Sequence, residues 1–225
     1  MTKIVKEYEE RKRELLETAQ KLFFTKGYEK TSVNDIITAV GIAKGTFYHY
    51  FKTKEELLDK LIRQMADSIN SGLKEIVASP RLNAIEKLNR FFSFAGNFKL
   101  QNKETFIVSA IMMHRPENIL FRKKLETIYL QVSSELLTAL IRQGVEEKLF
   151  DTPFPDIVPH MLLAMGIHLR EEFASLLLNE QRTDNDIDFF CRGYEMYQNS
   201  IERILGAPQG SISFITDHLI RSFFN

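Results

Sequence analysis

Two short amphipathic segments that meet at a glycine constrain this chain more than any other feature. Four apolar residues between Val33 and Val40 lie at i, i+3, i+4 and i+7, and Gly41 follows at once. This spacing puts them on one face of a helix, and the glycine allows the left-handed conformation that ends it. A second short helix is expected over about 43 to 50, after one over about 32 to 39. The pair predicts a helix-turn-helix.

Helical periodicity continues along the rest of the chain, and no segment shows the alternation of a half-buried strand. The apolar residues from Leu15 to Phe23 predict a first helix over about 5 to 26 that ends at Gly27. Ser32 with Asp35, and Thr53 with Glu56, are predicted capping boxes, and the second opens a fourth helix that runs to about Val77. Further helices are predicted near 82–100, 103–113, 117–147, 154–181, 184–205 and 210–223, so the fold class is all-α.

Composition fits an ordinary globular protein, with 44% hydrophobic and 27% charged residues. The 30 basic and 30 acidic residues balance, although residues 1–65 hold 13 Lys and Arg against 10 Asp and Glu. Cys191 is the only cysteine, which excludes an internal disulfide. Charged residues interrupt every apolar stretch well before the ~18 residues of a membrane span, and the N-terminus lacks an export signal. No membrane association and a cytoplasmic location are therefore expected.

The second short helix has a small, polar outer face. Lys44, Gly45, Thr46, Tyr48 and His49 remain for that face once the apolar residues are buried. Such a surface suits the major groove of DNA, which admits a helix and presents donors and acceptors to side chains near its N-terminal half. The alternative is that the lysines here are simply solvated and the aromatic residues are core.

The run from Thr31 to Leu58 contains two characteristic stretches, Thr31-Ser32-Val33-Asn34-Asp35-Ile36-Ile37 and Val40-Gly41-Ile42-Ala43-Lys44-Gly45-Thr46-Phe47-Tyr48-His49-Tyr50-Phe51-Lys52-Thr53-Lys54. This run resembles the DNA-binding signature of the TetR family. Ala19-Gln20-Lys21-Leu22-Phe23-Phe24-Thr25-Lys26-Gly27-Tyr28 is similar to the end of that family's first helix. The resemblance covers about residues 10–65. The rest of the chain matches only in helical character.

The resemblance implies specific roles for residues of this segment. Ala43, Lys44, Gly45 and Thr46 would approach base edges. The DNA backbone would be contacted by Thr31, Ser32, Tyr48, His49 and Lys54. Phe47 and Phe51, four residues apart on one face, are expected to pack inward. The family's architecture would give a three-helix DNA-binding domain over 1–52, followed over 53–225 by a larger bundle for ligand binding and dimerisation, about nine to ten helices in all.

A small-molecule pocket is expected in the C-terminal bundle, where the family holds its inducer. Large, flexible apolar groups are frequent there, although for any one of them ordinary core packing is the more common role. The candidate ligand-binding residues are Phe91, Phe94, Phe98, Phe106, Met112, Met113, His114, Met161 and Met165.

Catalytic and metal sites are not expected. His160 and His168 are eight residues apart, about 12 Å along a helix axis, whereas zinc ligands must reach one ion to within about 2.1 Å. No phosphate-binding glycine loop and no nucleophile motif occurs in the sequence, so no cofactor is predicted. Cys191 is interpreted as a small buried apolar residue, with a redox role as the alternative.

Apolar stripes on the helices near 154–181 and 184–205 predict a dimer. They comprise Leu162, Leu169, Phe173, Leu176 and Leu177 on one helix, and Phe190, Tyr194, Tyr197, Ile201 and Ile204 on the other. Two copies would form a four-helix bundle about a two-fold axis, although packing within one chain is the competing interpretation.

The predicted function is a homodimeric repressor that binds a palindromic duplex operator and is released by a small, largely apolar effector. An activator of the same type, and a helical small-molecule-binding protein without a DNA function, are the alternatives.

Overall fold

Helices make up the regular structure of the described chain. The computed structural model describes residues 3–101, 107 and 110–224, and the side chains of 7–67, 70–94, 107 and 110–224. The helices are α1 (Lys3–Lys26), α2 (Val33–Val40), α3 (Lys44–Tyr50), α4 (Lys54–Ala78), α5 (Ala84–Gln101), α6 (Ile119–Glu146), α7 (Val158–Leu178), α8 (Asp184–Leu205) and α9 (Asp217–Arg221), with a 3-10 turn at Pro116–Asn118. No strand occurs within these described ranges, and the all-α prediction is confirmed.

The chain divides into two compact units. The first contains Met1–Ser68 and Met112–Ile128, and the second contains Ile69–Ile111 and Tyr129–Asn225. The chain therefore crosses from one unit to the other within α4, before Met112, and within α6. A functional boundary after residue 52 stays a prediction, because this division by compactness keeps the first part of α4 with α1 to α3.

The core of the first unit forms where the apolar stripe of α1 meets the short helices. Phe23 of α1, Ile36 of α2, Phe47 of α3 and Ile62 of α4 are fully buried in it. Phe121 of α6 is buried in the same cluster. Burying a large apolar side chain contributes about 1.5 to 3 kcal/mol, so this core stabilises helices that are too short to be stable alone.

The core of the second unit lies among α5 to α8 and the end of α4. Leu88, Leu137, Ile141, Leu162 and Ile201 are fully buried there. Among the described residues, no helix has the length and apolar character needed to cross a membrane.

Several predicted helix ends move in the structure. The helix predicted from 154 begins at Val158, with Pro159 in its first turn, where the missing N–H costs little. The helix predicted from 117 begins at Ile119, after the 3-10 turn. Of the helix predicted over 103–113, the structure describes residues 107 and 110–113, which are helical.

The helix predicted over 210–223 is wrong for residues 211–216, which lack regular secondary structure. Side chains from α5 and α8 satisfy the backbone of this segment. Gln198 Oε1 accepts from the N–H groups of Phe214 (2.9 Å) and Ile215 (3.2 Å), and Glu202 Oε1 accepts from that of Ile212 (2.8 Å). The Asn89 side chain donates a hydrogen bond to Ser211 O and accepts one from Ser213 N–H. These contacts replace the bonds that a helix would make, so α9 begins only at Asp217.

Candidate nucleic-acid interface

A reciprocal capping box fixes the start of α2, as the sequence predicts. Ser32 Oγ accepts from Asp35 N–H at 3.1 Å, and Asp35 Oδ2 accepts from Ser32 N–H at 2.7 Å. Lys26 Nζ at the end of α1 donates to the same carboxylate at 2.7 Å. The hydrogen bond from Lys26, followed by those from Ser32, holds the pKa of Asp35 well below its usual range. Asp35 therefore ties the start of α2 to the end of α1.

The turn between α2 and α3 requires a glycine for its backbone conformation. Gly41 has φ of +73°, and its N–H donates to Ile37 O at 2.9 Å. A Cβ at this position would meet no atom within 4 Å, so the reason for glycine is the dihedral angle rather than space. The turn directs the chain into α3, which begins three residues later at Lys44.

Two buried rings orient α3. Phe47 is fully buried and Phe51 nearly so, and their ring centroids lie 6.1 Å apart. Because α3 is only Lys44–Tyr50, these anchors decide which of its faces is exposed. The prediction that both phenylalanines belong to the core is confirmed.

The opposite face of α3 is open. Lys44, Gly45 and His49 are exposed, Tyr48 is 46% exposed, and Thr46 is half-buried. A Cβ at Gly45 would meet no atom of the described residues within 4 Å, so these residues leave open space at this position of the first turn. The surface combines one cation, hydroxyl groups and exposed backbone, which can donate and accept hydrogen bonds along a groove.

Tyr8 supports the end of α3 and was not singled out from the sequence. Its ring centroid lies 4.7 Å from that of Tyr50 and 5.9 Å from that of His49. Tyr8 precedes Leu15 and Leu16 by seven and eight residues, so it continues the apolar stripe of α1. That helical spacing is the signal by which it could have been found.

Comparison with known proteins identifies this segment. Residues 15–61 match the family model of bacterial regulatory proteins of the tetR family. This segment is therefore similar to the DNA-binding part of TetR-family regulators. A transcriptional repressor of Mycobacterium tuberculosis, KstR2, is 36% identical over 92 residues, which cover 41% of this chain and 46% of that protein. The chain thus matches about half the length of this curated relative.

Two further comparisons extend beyond the DNA-binding segment. The regulator EthR of Mycolicibacterium smegmatis is 26% identical over 179 residues, covering 77% of each chain. The crystal structure of a TetR-family regulator from Pectobacterium atrosepticum has a TM-score of 0.60 and 18% identity, with 93% of this chain and 100% of that one covered. The structural likeness shows the fold, a TetR-type helix-turn-helix followed by a helical C-terminal region. The relatives are named as regulators of transcription and not as enzymes.

Two of the predicted phosphate contacts of this segment point toward the protein's own backbone. Thr31 is buried, and its hydroxyl donates to Gly27 O at 2.7 Å. Lys54 Nζ donates to Tyr28 O at 2.8 Å and to Thr31 O at 2.9 Å, and lies 4.1 Å from the centre of the Tyr28 ring. Burial lowers the pKa of Lys54. Both side chains hold the turn between α1 and α2, and their contact with phosphate stays a prediction.

The candidate ligand residues are divided between the two units. Phe91 is buried in the core of the second unit, while Phe94 and Met165 are half-buried beside it. Met161 is 55% exposed. Met112, Met113 and His114 belong to the first unit. The side chain of Phe98 and the whole of Phe106 lie outside the described residues. A ligand role for this set stays a prediction.

The predicted dimer stripes are partly buried within the second unit. Leu162, Phe190, Tyr197 and Ile201 are buried there, the other six stripe residues are half-buried, and their role in a dimer stays a prediction. Residues of α7 and α8 line an open, mainly apolar groove of about 1060 Å³, and the stripe residues Leu176, Phe190 and Tyr197 are among them. The lining residues also include Met165, His168, Leu169, Phe189, Gly193 and Met196.

His160 and Cys191 have structural partners. Ser134 Oγ lies 3.2 Å from the ring nitrogens of His160. Within the described part of the chain, no three His, Cys, Asp or Glu residues are placed to hold a metal ion. Burial, and then a hydrogen bond with Asp217, raises the pKa of the Cys191 thiol to about 12. Because a reactive cysteine needs the thiolate form, this favours a structural role for Cys191.

Removal of the Phe47 ring tests the anchoring of α3. We expect Phe47→Ala to lower the free energy of unfolding by about 3 to 5 kcal/mol, because it leaves a cavity in the first core. Urea denaturation followed by circular dichroism measures the change. The matched control is Tyr48→Ala at the exposed neighbouring position, which should cost less than about 1 kcal/mol. Equal losses in the two variants would contradict the assignment.

The Asp35 contacts predict a specific acid dependence. Because the folded-state pKa lies below the unfolded value of about 3.9, the ionised group stabilises the fold above that pH, and the stabilisation is lost as the pH falls below it. Asp35→Asn should therefore melt at a lower temperature than the wild type at pH 7, and the difference should narrow below about pH 4. A thermal-unfolding series over pH 2.5–7 measures this.

Lys26→Met provides the control, since Lys26 donates to the same carboxylate. Its effect and that of Asp35→Asn should not add in the double variant. A difference from the wild type that stays constant over the whole pH range would show that Asp35 does not act through its charge.

Proposed function

We propose that this protein is a DNA-binding regulator of transcription that acts as a homodimer. The main observation in support of DNA binding is the exposed polar face of α3, which the buried rings of Phe47 and Phe51 hold outward. A helix presented in this way, second in a helix-turn-helix, has the geometry that enters a major groove. A small-molecule-binding protein without a DNA function would have no use for it.

Direct readout is assigned to the first turn of α3. Ala43, Lys44 and Gly45 are exposed and Thr46 is half-buried, which supports their approach to base edges. In the same proposal, Tyr48 and His49 contact the DNA backbone, and Ser32 contacts a phosphate at the start of α2. In this proposal Thr31 and Lys54 act mainly by holding the preceding turn, because their polar atoms bond backbone carbonyls.

Lys44→Ala tests the readout. The DNA is a duplex that the wild-type protein enriches from a random pool. We expect affinity for it to fall by about 1 to 3 kcal/mol, or roughly 5- to 150-fold, if Lys44 contacts a base. Fluorescence anisotropy across a salt series measures the affinity, which should weaken steeply with salt.

Lys74→Ala is the matched control, because Lys74 is an exposed lysine of the second unit. It should leave the affinity unchanged. Equal affinity of the Lys44→Ala variant and the wild type would remove Lys44 from the reading surface. Failure of the wild type to enrich any duplex would favour the binding protein without a DNA function.

A second copy of the chain is the proposed occupant of the groove between α7 and α8. Phe189 is 71% exposed and Met196 is 63% exposed, one on each side of Gly193 along α8. The Gly193 position leaves room for close approach, and the apolar side chains gain from burial. Two recognition helices related by a two-fold axis would fit successive major grooves about 34 to 36 Å apart, and hence a palindromic operator.

The double variant Phe189→Glu/Met196→Glu tests the dimer. Burying two carboxylates in an apolar interface is costly, so we expect a monomer by light scattering and at least a tenfold weaker affinity for the palindromic duplex. The control is Val145→Glu, an exposed apolar position on α6. A double variant that stays dimeric would show that the interface lies elsewhere.

Release by a small, largely apolar effector is proposed for the region over 53–225. The groups available there include Phe91, Phe94 and Met165, which lie in or beside the second core. Shifting a 99:1 population to 1:99 takes about 5.5 kcal/mol of differential binding. The KstR2 relative is named a repressor, which supports repression over activation; the position of the operator relative to the promoter distinguishes them. Such a regulator would act in the cytoplasm, on chromosomal DNA.

A further inference from the structure

One buried amide joins three backbone segments of the first unit. Asn118 ends the 3-10 turn before α6, and its side chain is completely buried. Its Oδ1 accepts from Tyr28 N–H at 2.8 Å, and its Nδ2 donates to Phe23 O at 3.2 Å and to Met112 O at 2.9 Å. The amide thus uses both donor hydrogens and one acceptor position on main-chain groups.

Each of these main-chain groups lies at the end of an element or in a turn. The Phe23 carbonyl is in the last turn of α1 and also accepts from Gly27 N–H at 3.1 Å, and the Met112 carbonyl also accepts from Arg115 N–H at 3.3 Å. The Tyr28 N–H lies in the turn that leads to α2, and it donates to the Asn118 oxygen. A buried main-chain group without a partner costs about 1 to 3 kcal/mol. Without the Asn118 amide, this turn would have to move for Tyr28 N–H to recover a hydrogen bond.

Neighbouring contacts clamp the same turn. Glu29 N–H donates to Glu117 O at 3.1 Å, and the Lys30 ammonium pairs with the Glu117 carboxylate. Gly27 has φ of +93°, and a Cβ there would lie 2.6 Å from Glu117 Cβ. The segments around Gly27 and Glu117 approach each other so closely that position 27 requires glycine for both space and conformation.

The clamped turn leads directly into the DNA-reading helices. Thr31 and Ser32 follow it, and Ser32 is the N-cap of α2. Lys54 bonds Tyr28 O and Thr31 O, while Asn118 bonds Tyr28 N–H. The peptide groups on both sides of Tyr28 are therefore fixed, one by a side chain from α4 and one by a side chain that precedes α6.

We propose that Asn118 is a positioning residue for DNA binding, which sets the placement of α2 and α3 through the turn at residues 27–31. This inference rests on the proposed DNA-binding function. Asn118 lies 90 residues from Tyr28 in sequence, and the chain reaches it from Ile111, the last residue of a second-unit segment. The Asn118 side chain therefore joins the segment before α6 to the turn that precedes α2 by hydrogen bonds within the first unit.

The test compares Asn118→Asp and Asn118→Ala with the wild type on the enriched duplex. The aspartate keeps the acceptor for Tyr28 N–H but places a charge against two carbonyl oxygens, and the alanine loses every contact. At a temperature where each variant is folded by circular dichroism, we expect at least a tenfold weaker affinity. Hydrogen exchange of residues 27–37 should be faster in both variants, because the turn is released.

Asn89→Ala is the matched control, because Asn89 is a backbone-bridging amide in the second unit. It donates to Ser211 O at 2.8 Å and accepts from Ser213 N–H at 2.9 Å. We expect a loss of stability from this variant and an unchanged affinity for the duplex. Folded Asn118 variants that bind as the wild type does, or an equal loss of affinity in Asn89→Ala, would overturn the inference.

Glu117→Lys tests the same junction should the Asn118 variants not fold. The substitution places a lysine ammonium group next to that of Lys30, and it also adds positive charge to the DNA-binding unit. Charge alone would tighten DNA binding, whereas displacement of the turn weakens it, and we expect at least a threefold loss. Lys30→Glu/Glu117→Lys restores the pair at the wild-type net charge and should recover most of the affinity.

The outcomes separate the inference from the function on which it rests. Tighter binding by Glu117→Lys, or no recovery in the double variant, would overturn the role of the junction while leaving the regulator intact. A wild-type protein that enriches no duplex would overturn the proposed function, and this inference with it.

Discussion

The burial of Phe47 and Phe51 is the constraint on which the reading surface depends. A helix of seven residues has too few internal hydrogen bonds to be stable alone, so tertiary contacts must fix both its existence and its rotation. With Phe47 inside the first core, Lys44 and Tyr48 can only face outward. The polarity of the exposed face therefore follows from where two apolar rings lie.

Apolar burial alone leaves the height and tilt of such short helices loosely defined, because it is not directional. Polar contacts supply that definition in the first unit. Asp35 joins the start of α2 to Lys26, and Lys54 and Asn118 hold the turn on either side of Tyr28. The core thus provides most of the stability, whereas a few hydrogen bonds fix the geometry that readout requires.

The sequence predicts those features of the site that are encoded locally. The Ser32 and Asp35 box, the glycine at 41 and the inward phenylalanines lie within a few residues of the elements they control. Asn118 has no such local signal, because its partner Tyr28 is 90 residues away. The irregular segment over 211–216 was predicted as helix for the same reason, since its backbone partners lie on α5 and α8.

Helix α8 shows why periodicity alone did not distinguish core from interface. Phe190 and Tyr197 are buried within the second unit, whereas Phe189 and Met196, each one position earlier, are exposed. A helix with apolar residues on two faces can satisfy only one of them within its own chain. The exposed face must then be covered by another molecule or remain an unfavourable contact with water. The identical face of a second copy can cover it, because a two-fold axis makes one surface its own complement.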